Sequence, residues 1–403
     1  MMGPKGHFLN NLIDTTIFFK KKLKIYWVLN KNFNDEGTYI PNEVRIFKII
    51  STNTFKRKNN KILYISFEIY FFLLNLFNVF FFSFYFLKKK NFFNYFFALK
   101  SNYFILPKYF RSFYKNYKRL NLNRNDHIFF PTARRKDMSL INFLIKIDKK
   151  HPKFHIRVML PPNDKFKDFF YYLKQIQKQL NNKTAFVYLW SDYNYRLFLK
   201  KIQNKNGIFK SNIPWSFYKR KFKKNNHVIG YMGDARPSRG FQHMPKIINI
   251  LERKKNNFKY LIQFSKISND LIKIKKKLYT LSKTNKRITI VERYLDYQEY
   301  LNLLKKIDIM PILHNSKEIN LVTSGTMYSC VPYQTAMVIP KNTNFMNDIL
   351  KHKSYEEAKN INDFVNKIIK ISKNYKYYHE NVKKNSLILK KILKNDALKK
   401  NII

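Results

Sequence analysis

The sequence predicts an α/β protein of two doubly wound domains facing a central cleft, and three observations carry that prediction. Short apolar runs rich in β-branched and aromatic residues alternate with stretches of helical periodicity, the pattern of βαβ units and parallel sheet. The runs fall into two series, separated at 204–226 by a basic stretch containing Gly207 and Pro214 that reads as an interdomain linker. The 403 residues, 45% apolar and 17% aromatic, exclude a disordered chain and are ample for two cores.

In chain order, GHFLNNLIDTTIFFKKKL places Phe8, Leu9, Leu12, Ile13, Ile17 and Phe18 at helical spacing, and IYWVLN follows as a strand. Further strands are expected in IFKII (46–50), HIFFP (127–131), FHIRVML (154–160) and AFVYLW (185–190), with a helix from Met138 to Lys150. After the break come HVIGYMG (227–233), FKYLIQF (258–264), RITIVE (287–292), DIMPIL (308–313) and AMVIP (336–340), and a Lys-rich helical tail from Asp363 to Ile403. The resulting division is an N-terminal domain over 1–213, a linker over 214–226, a C-terminal domain over 227–385 and a Lys-rich helix over 386–403. In such a pair the ligand is expected where the carboxyl ends of the strands face each other.

The stretch 62–87 is long enough to span a bilayer and has lysines on both sides. Glu68, Asn75, Asn78 and Ser83 interrupt it, and a span would separate residues 1–61 from the other strands of the sheet. A membrane-facing helix with aromatic anchors and an ordinary helix between domains remain the readings to set beside a span, and the expectation is that 62–87 does not cross.

The net charge is +54, from 79 basic and 25 acidic residues, and Lys outnumbers Arg 64 to 15. Lys, Asn, Ile, Phe and Tyr rising together is the mark of compositional drift; attraction to an anionic surface is the alternative, and membrane fits better than RNA because the cations are spread along the chain. No specific nucleic-acid partner is expected. Cys330 is the lone cysteine, which excludes a disulfide framework or thiolate metal site and suits a reducing compartment, and MMGPKGHFLNN does not open like an export signal. The expected location is cytoplasmic, peripheral on the inner face of the membrane.

No P-loop, no dinucleotide fingerprint, no zinc-protease motif and no DxD pair occurs, so a metal-dependent transferase using such a pair is disfavoured and neither a metal nor a cofactor is expected. The informative segment is HVIGYMGDARPSRGFQHMPKIINIL. A strand runs into a turn bearing Gly233, Arg236, Arg239 and Gly240, then into a helix, where glycines allow close backbone approach and two guanidiniums face an anion. A diphosphate suits it; a glycine turn with solvated arginines is the bland alternative.

The segment GYMGDARPSRGF resembles the start of the C-terminal domain in GT-B glycosyltransferases of the GT4-like group, with Arg239 standing where the family usually has Lys. That resemblance implies two Rossmann-like domains and a nucleotide diphosphate sugar held through Arg236 and Arg239. YLDYQEYLNLLKKIDIMPILHN is similar to the family segment beside the donor base, with Tyr294, Tyr300, Asp308 and Pro311 in order. VTSGTMYSCVPYQTAMVIPKNT resembles the donor loop and helix, which implies hydroxyls and N–H groups of Thr323, Ser324, Gly325 and Thr326 on the phosphates. Many relatives have Glu, Gly and Pro at the positions of Ser329, Gln334 and Ala336; the family's Glu pair is missing here, which leaves retaining and inverting chemistry both open, with retention implied by the family.

In the N-terminal domain, Gly6-His7 before a helix looks like the family's first, acceptor-facing loop. No Glu occurs between Glu68 and Glu252, so a cleft carboxylate from that region must be an Asp. Asp126 precedes its strand, whereas Asp192 follows one, and His7 and Asp192 are the catalytic candidates. A helix N-cap explains Asp192 equally well. Thr132, Arg134 and Arg135 follow HIFFP and face the acceptor side. The reading is a metal-independent, retaining glycosyltransferase acting on a glycan or glycolipid acceptor in surface polysaccharide or lipopolysaccharide synthesis. The alternative is a non-catalytic basic RNA- or membrane-associated protein with a degenerate transferase fold.

Overall fold

The computed structural model describes residues 16, 25–30, 44–49, 113–114, 117–133, 135–158, 170, 173–213, 215–254, 257–315, 319–320, 324–344 and 346–403. The stretch 62–87, the first helix with Gly6 and His7, and Pro214 lie outside the described residues.

Strands β1 (Ile25–Asn30) and β2 (Val44–Ile49) form a parallel pair. A four-stranded parallel sheet follows, in the order β3 (His127–Phe130), β4 (Lys153–Val158), β5 (Ala185–Leu189) and β6 (Ile208–Lys210). Helices α1 (Arg135–Ile147), α2 (Gln177–Asn181) and α3 (Asp192–Leu199) connect these strands. Leu140, Ile141 and Leu144 of α1 recur at helical spacing and pack on Phe154, Ile156 and Val187, the alternating inward residues of β4 and β5.

The C-terminal sheet has six parallel strands: β7 (Val228–Met232), β8 (Lys259–Phe264), β9 (Ile288–Glu292), β10 (Ile309–Pro311), β11 (Ala336–Pro340) and β12 (Tyr355–Ala358). Their order is β12-β11-β10-β7-β8-β9, so the winding reverses between β7 and β10. The described crossover helices are α4 (Met244–Arg253), α5 (Ile272–Thr284), α6 (Tyr297–Lys306), α7 (Gly325–Cys330) and α8 (Ile361–Lys373). On α4, Met244, Ile247, Ile248 and Leu251 turn one apolar stripe inward, and on α6 Asp296 and Glu299 close a capping box.

A long helix, α9 (Tyr375–Lys394), and a short one, α10 (Ala397–Ile402), follow. Helix α9 runs straight through the boundary expected at 385/386, because Leu389 and Leu393 continue the buried stripe begun by Tyr378 and Val382. Helix α10 lies on the N-terminal sheet, where Leu398 packs with Phe186 and Tyr188. Asp396 caps it and ties it down, accepting from the Ser211 hydroxyl (2.7 Å) and the Asn212 N–H (2.8 Å).

The stretch expected as a linker needs two corrections. Its first part contains β6. Its later part is a strap docked on the C-terminal sheet through Arg220, a buried side chain that donates to the carbonyls of Leu304, Lys305, Tyr333 and Gln334. Asp308, at the amino end of β10, accepts from Arg220 at 3.1 Å and from the Val228 N–H at 2.9 Å. Gln334 takes a left-handed φ of 53°, and its side-chain oxygen accepts the Arg220 N–H. Among the described residues no helix is long and apolar enough to cross a membrane.

Candidate functional site

The reversal of winding between β7 and β10 parts the loops at their carboxyl ends and leaves a crevice there. The loop after β7 fills its rim. It leaves the strand at Gly233, whose φ of 124° suits glycine, makes a single 3-10 turn over Pro237–Arg239, and reverses at Gly240 with φ 71°. Leu313, leaving β10, lies so close to Gly240 that a Cβ there would overlap its carbonyl oxygen. The turn is thereby pinned across the switch point. The α-helix does not open at Gly240 as expected: the left-handed glycine ends one 3-10 turn and starts another, Phe241–His243, before α4 begins at Met244.

Arg239 folds back over Gly233, where a Cβ would meet its Nη1 at 2.5 Å. Burial raises the Tyr231 and Tyr300 hydroxyls far above the usual phenol range, and the Arg239 charge opposes that rise. Arg236 is exposed and ion-paired to Asp234. Burial alone would raise the Asp234 carboxyl, but the Ser265 hydroxyl, donating at 2.9 Å, and the Arg236 and Arg239 charges hold it below its ordinary range.

Neighbouring loops converge on this turn. Gln263 of β8 accepts the Gly233 N–H at 3.1 Å and donates to the Arg293 carbonyl at 3.0 Å, fixing the exits of β7 and β9 together. Tyr294 follows β9, 40% exposed, with the Lys266 ammonium 5.8 Å from its ring centre. On the other side of the switch point, Ser324 caps α7 by accepting the Met327 N–H at 3.2 Å, and Thr326 donates to the Met232 carbonyl at 3.4 Å. The Ser324 and Thr326 hydroxyls, expected on the phosphates, are thus engaged by the protein. Thr323 lies outside the described residues. Ser329 is fully buried and donates to the Thr326 carbonyl. Leu313 also walls a cavity of about 510 Å³ at the carboxyl ends of β10, β11 and β12, together with His243, His314, Lys341 and Lys359.

On the N-terminal sheet, Thr132 is half-buried just after β3, while Arg134 and the side chain of Arg135 lie outside what is described. Ser191, not Asp192, is the N-cap of α3, accepting the Asn194 N–H at 3.2 Å from a backbone of φ 76°. Asp192 stands one residue further on and pairs with Arg196 at 2.7 Å and Lys210 at 3.8 Å. Lys210 in turn pairs with Asp348 of the C-terminal unit at 2.8 Å. Asp192 is thus held between two cations of its own unit, one of which, Lys210, makes the ion pair to the C-terminal unit. Among the described residues no group of three or more His, Cys, Asp or Glu side chains is placed to hold a metal.

Sequence reasoning reached Gly233, Arg236, Arg239, Gly240 and Tyr294, which the fold brings to one rim. It missed Gln263, Lys266, Lys210 and Asp348. A glutamine inside an apolar strand is the one signal that could have flagged Gln263, since a buried amide must find partners.

No family model and no curated protein matches the chain. Solved structures do. Sucrose-phosphate synthase from Thermosynechococcus elongatus superposes at a TM-score of 0.57, with 10% identity over 96% of this chain and 89% of that one. Anabaena Alr3699/HepE in complex with UDP and glucose gives 0.56, with 10% identity over 95% and 91%. TarM matches at 0.48 and 13% identity over 70% of this chain and 54% of that one, so the chain spans about half the length of TarM. The fold shared with these structures is the GT-B fold, two Rossmann-like units facing a cleft.

Proposed function

We propose that the protein transfers a sugar from a nucleotide diphosphate sugar to a glycan or glycolipid acceptor presented at a membrane surface, in surface polysaccharide or lipopolysaccharide synthesis. The single observation behind the reading is the Gly233–Gly240 turn, pinned at the switch point of a GT-B sheet with the Arg239 guanidinium folded over bare backbone. The likeness to HepE in complex with UDP and glucose supports a donor of that class.

Breaking the bond between the sugar and the diphosphate puts negative charge on the departing phosphate. Arg239 and Arg236 are placed to stabilise that charge, and first-turn N–H groups of α7 add dipoles from the opposite wall. With two permanent cations at the turn the chemistry runs without a divalent ion. Retention at the anomeric carbon is the stereochemistry we assign, because a leaving phosphate held on the donor face can itself take the acceptor proton and no carboxylate need stand at Ser329. In this reading His7, Thr132 and Arg134 serve the acceptor, the role expected for them from the sequence.

A panel of nucleoside diphosphates tests it by thermal shift. The correct one, at about 100 times its Kd, adds about 2.7 kcal/mol of stability. Absence of any shift across the bases would remove the donor assignment, and nuclear magnetic resonance of the product decides retention.

A further inference from the structure

The outward face of α9 and the strap beside it lie outside the site described above, yet their composition is unusual. Tyr375, Tyr378, Val382 and Leu389 turn inward. The opposite face collects Lys376, Lys384, Lys390, Lys391 and Lys394, all exposed, against a single acid, Glu380. At 100° per residue these lysines fall within one side of a helix about 30 Å long. Two large apolar side chains stand exposed among them, Tyr377 at 52% and Leu387 at 66%. The strap continues the face: Phe222, 48% exposed, stacks against Tyr375 and His379 at centroid distances of 6.3 and 5.9 Å, between the exposed Lys221 and Lys224.

A solvated helix face explains the lysines alone. Tyr377, Leu387 and Phe222 add exposed apolar area between the lysines of the same face. Lysines on one face with apolar anchors between them match the boundary of an anionic bilayer, where the stems lie along acyl surface, the ammonium groups meet lipid phosphate, and the anchors enter the headgroup region. An RNA partner would use the rings but gain nothing from Leu387, and would favour the planar forks of arginine over lysine.

We infer that this face, the outer side of α9 with the Phe222 strap, is the surface by which the protein docks on an anionic lipid bilayer. The inference rests on the reading that the acceptor is presented at a membrane, and it concerns residues outside the donor turn.

Sedimentation of the full-length protein with vesicles tests it. The wild-type chain is expected to bind vesicles containing phosphatidylglycerol and to leave phosphatidylcholine vesicles unbound. Lys384→Glu combined with Lys391→Glu should weaken that binding by at least about thirtyfold, from about 1 kcal/mol for each lysine near the surface. Leu387→Ser should make the residual binding more sensitive to salt. Thermal midpoint and nucleoside diphosphate affinity should stay at wild-type values in these variants, so that failure of the surface is distinguished from failure of the donor site. Wild-type vesicle binding by the double variant would overturn the assignment. So would equal binding to neutral vesicles, or a homopolymeric RNA that binds the wild type more tightly than vesicles and loses affinity in the same variants.

Discussion

The guanidinium of Arg239 rests on the Cα of Gly233, in space that any other residue's Cβ would take, 2.5 Å from Nη1. One glycine therefore does two things. It lets the chain leave β7 at φ 124°, and it lets a cation six residues later lie against the strand end where a phosphate would approach. Gly233→Ala displaces Arg239 and strains the turn, and Arg239→Ala removes the cation. Each should weaken binding of the matching nucleoside diphosphate by roughly ten- to a hundredfold, the size of one or two charge-assisted hydrogen bonds. Because both act through one contact, the double variant should be no weaker than the worse single one by isothermal titration. Additive losses would show that the two residues act separately.

Turnover should survive a chelator. The sequence lacks a DxD pair, and in the proposed function the arginines at the turn oppose the charge of the leaving diphosphate. Initial rates measured in EDTA should match those without it. Loss of activity that magnesium or manganese restores would place a metal in the mechanism.

Arg220 should dominate the stability of the strap. Its guanidinium serves four carbonyls, the Thr335 hydroxyl and the Asp308 carboxylate. Arg220→Met leaves Asp308, itself fully buried, with the partly exposed Lys223 as its remaining cation. Removing one partner of a buried pair costs about 3–5 kcal/mol, and urea denaturation should read a loss of that order. Arg220→Lys should recover little, because an ammonium cannot reach as many acceptors.

Acid should unfold the C-terminal unit partly through Glu356. Burial alone would raise this carboxyl, but the Tyr378 hydroxyl and the Lys370 and Lys353 ammonium groups pull it down from 4.5 to about 2. A carboxyl depressed on folding stabilises the native state above its ordinary pKa, and that contribution drains away as pH falls from 4.5 towards 2. Glu356→Gln should be less stable than wild type at neutral pH and should show a flatter stability profile across that acid window. An unchanged slope would assign the acid limb to other groups.

How far the sequence reveals this molecule differs by element. β11 and β1 are legible to the residue, since AMVIP is an apolar run throughout and IYWVLN is apolar up to the closing Asn30. β6 was not, because three residues cannot establish a period, and β12 was not, because Glu356 in its middle reads as surface until Lys367 and Lys370 are brought to it by the fold. Arg220 sits in a KRKFKK run and looks like its solvated neighbours; only docking on β10 and the turn before β11 sets it apart. At the site, glycines and arginines spaced within one turn announced themselves, whereas Lys210 and Asp348 are 138 residues apart and carry no local signal.

Lys210 pairs with Asp348 at 2.8 Å and Asp192 at 3.8 Å, so one ammonium holds the carboxyl end of the N-terminal sheet to a loop of the C-terminal unit. Partly exposed bridges of this kind contribute about 1 kcal/mol or less, a factor of roughly five in a closure equilibrium. Lys210→Met should therefore raise the radius of gyration of the donor-bound protein measured by solution scattering and lower turnover by roughly that factor, leaving nucleoside diphosphate affinity little changed. Asp192→Asn separates the two roles weighed for that carboxylate. As a partner of Lys210 it should reproduce the modest loss of Lys210→Met; as a proton-abstracting base it should cost two to four orders of magnitude, on the order expected for general base catalysis. A collapse of turnover in Asp192→Asn beside a mild effect in Lys210→Met would return Asp192 to the chemistry and leave the bridge a matter of packing.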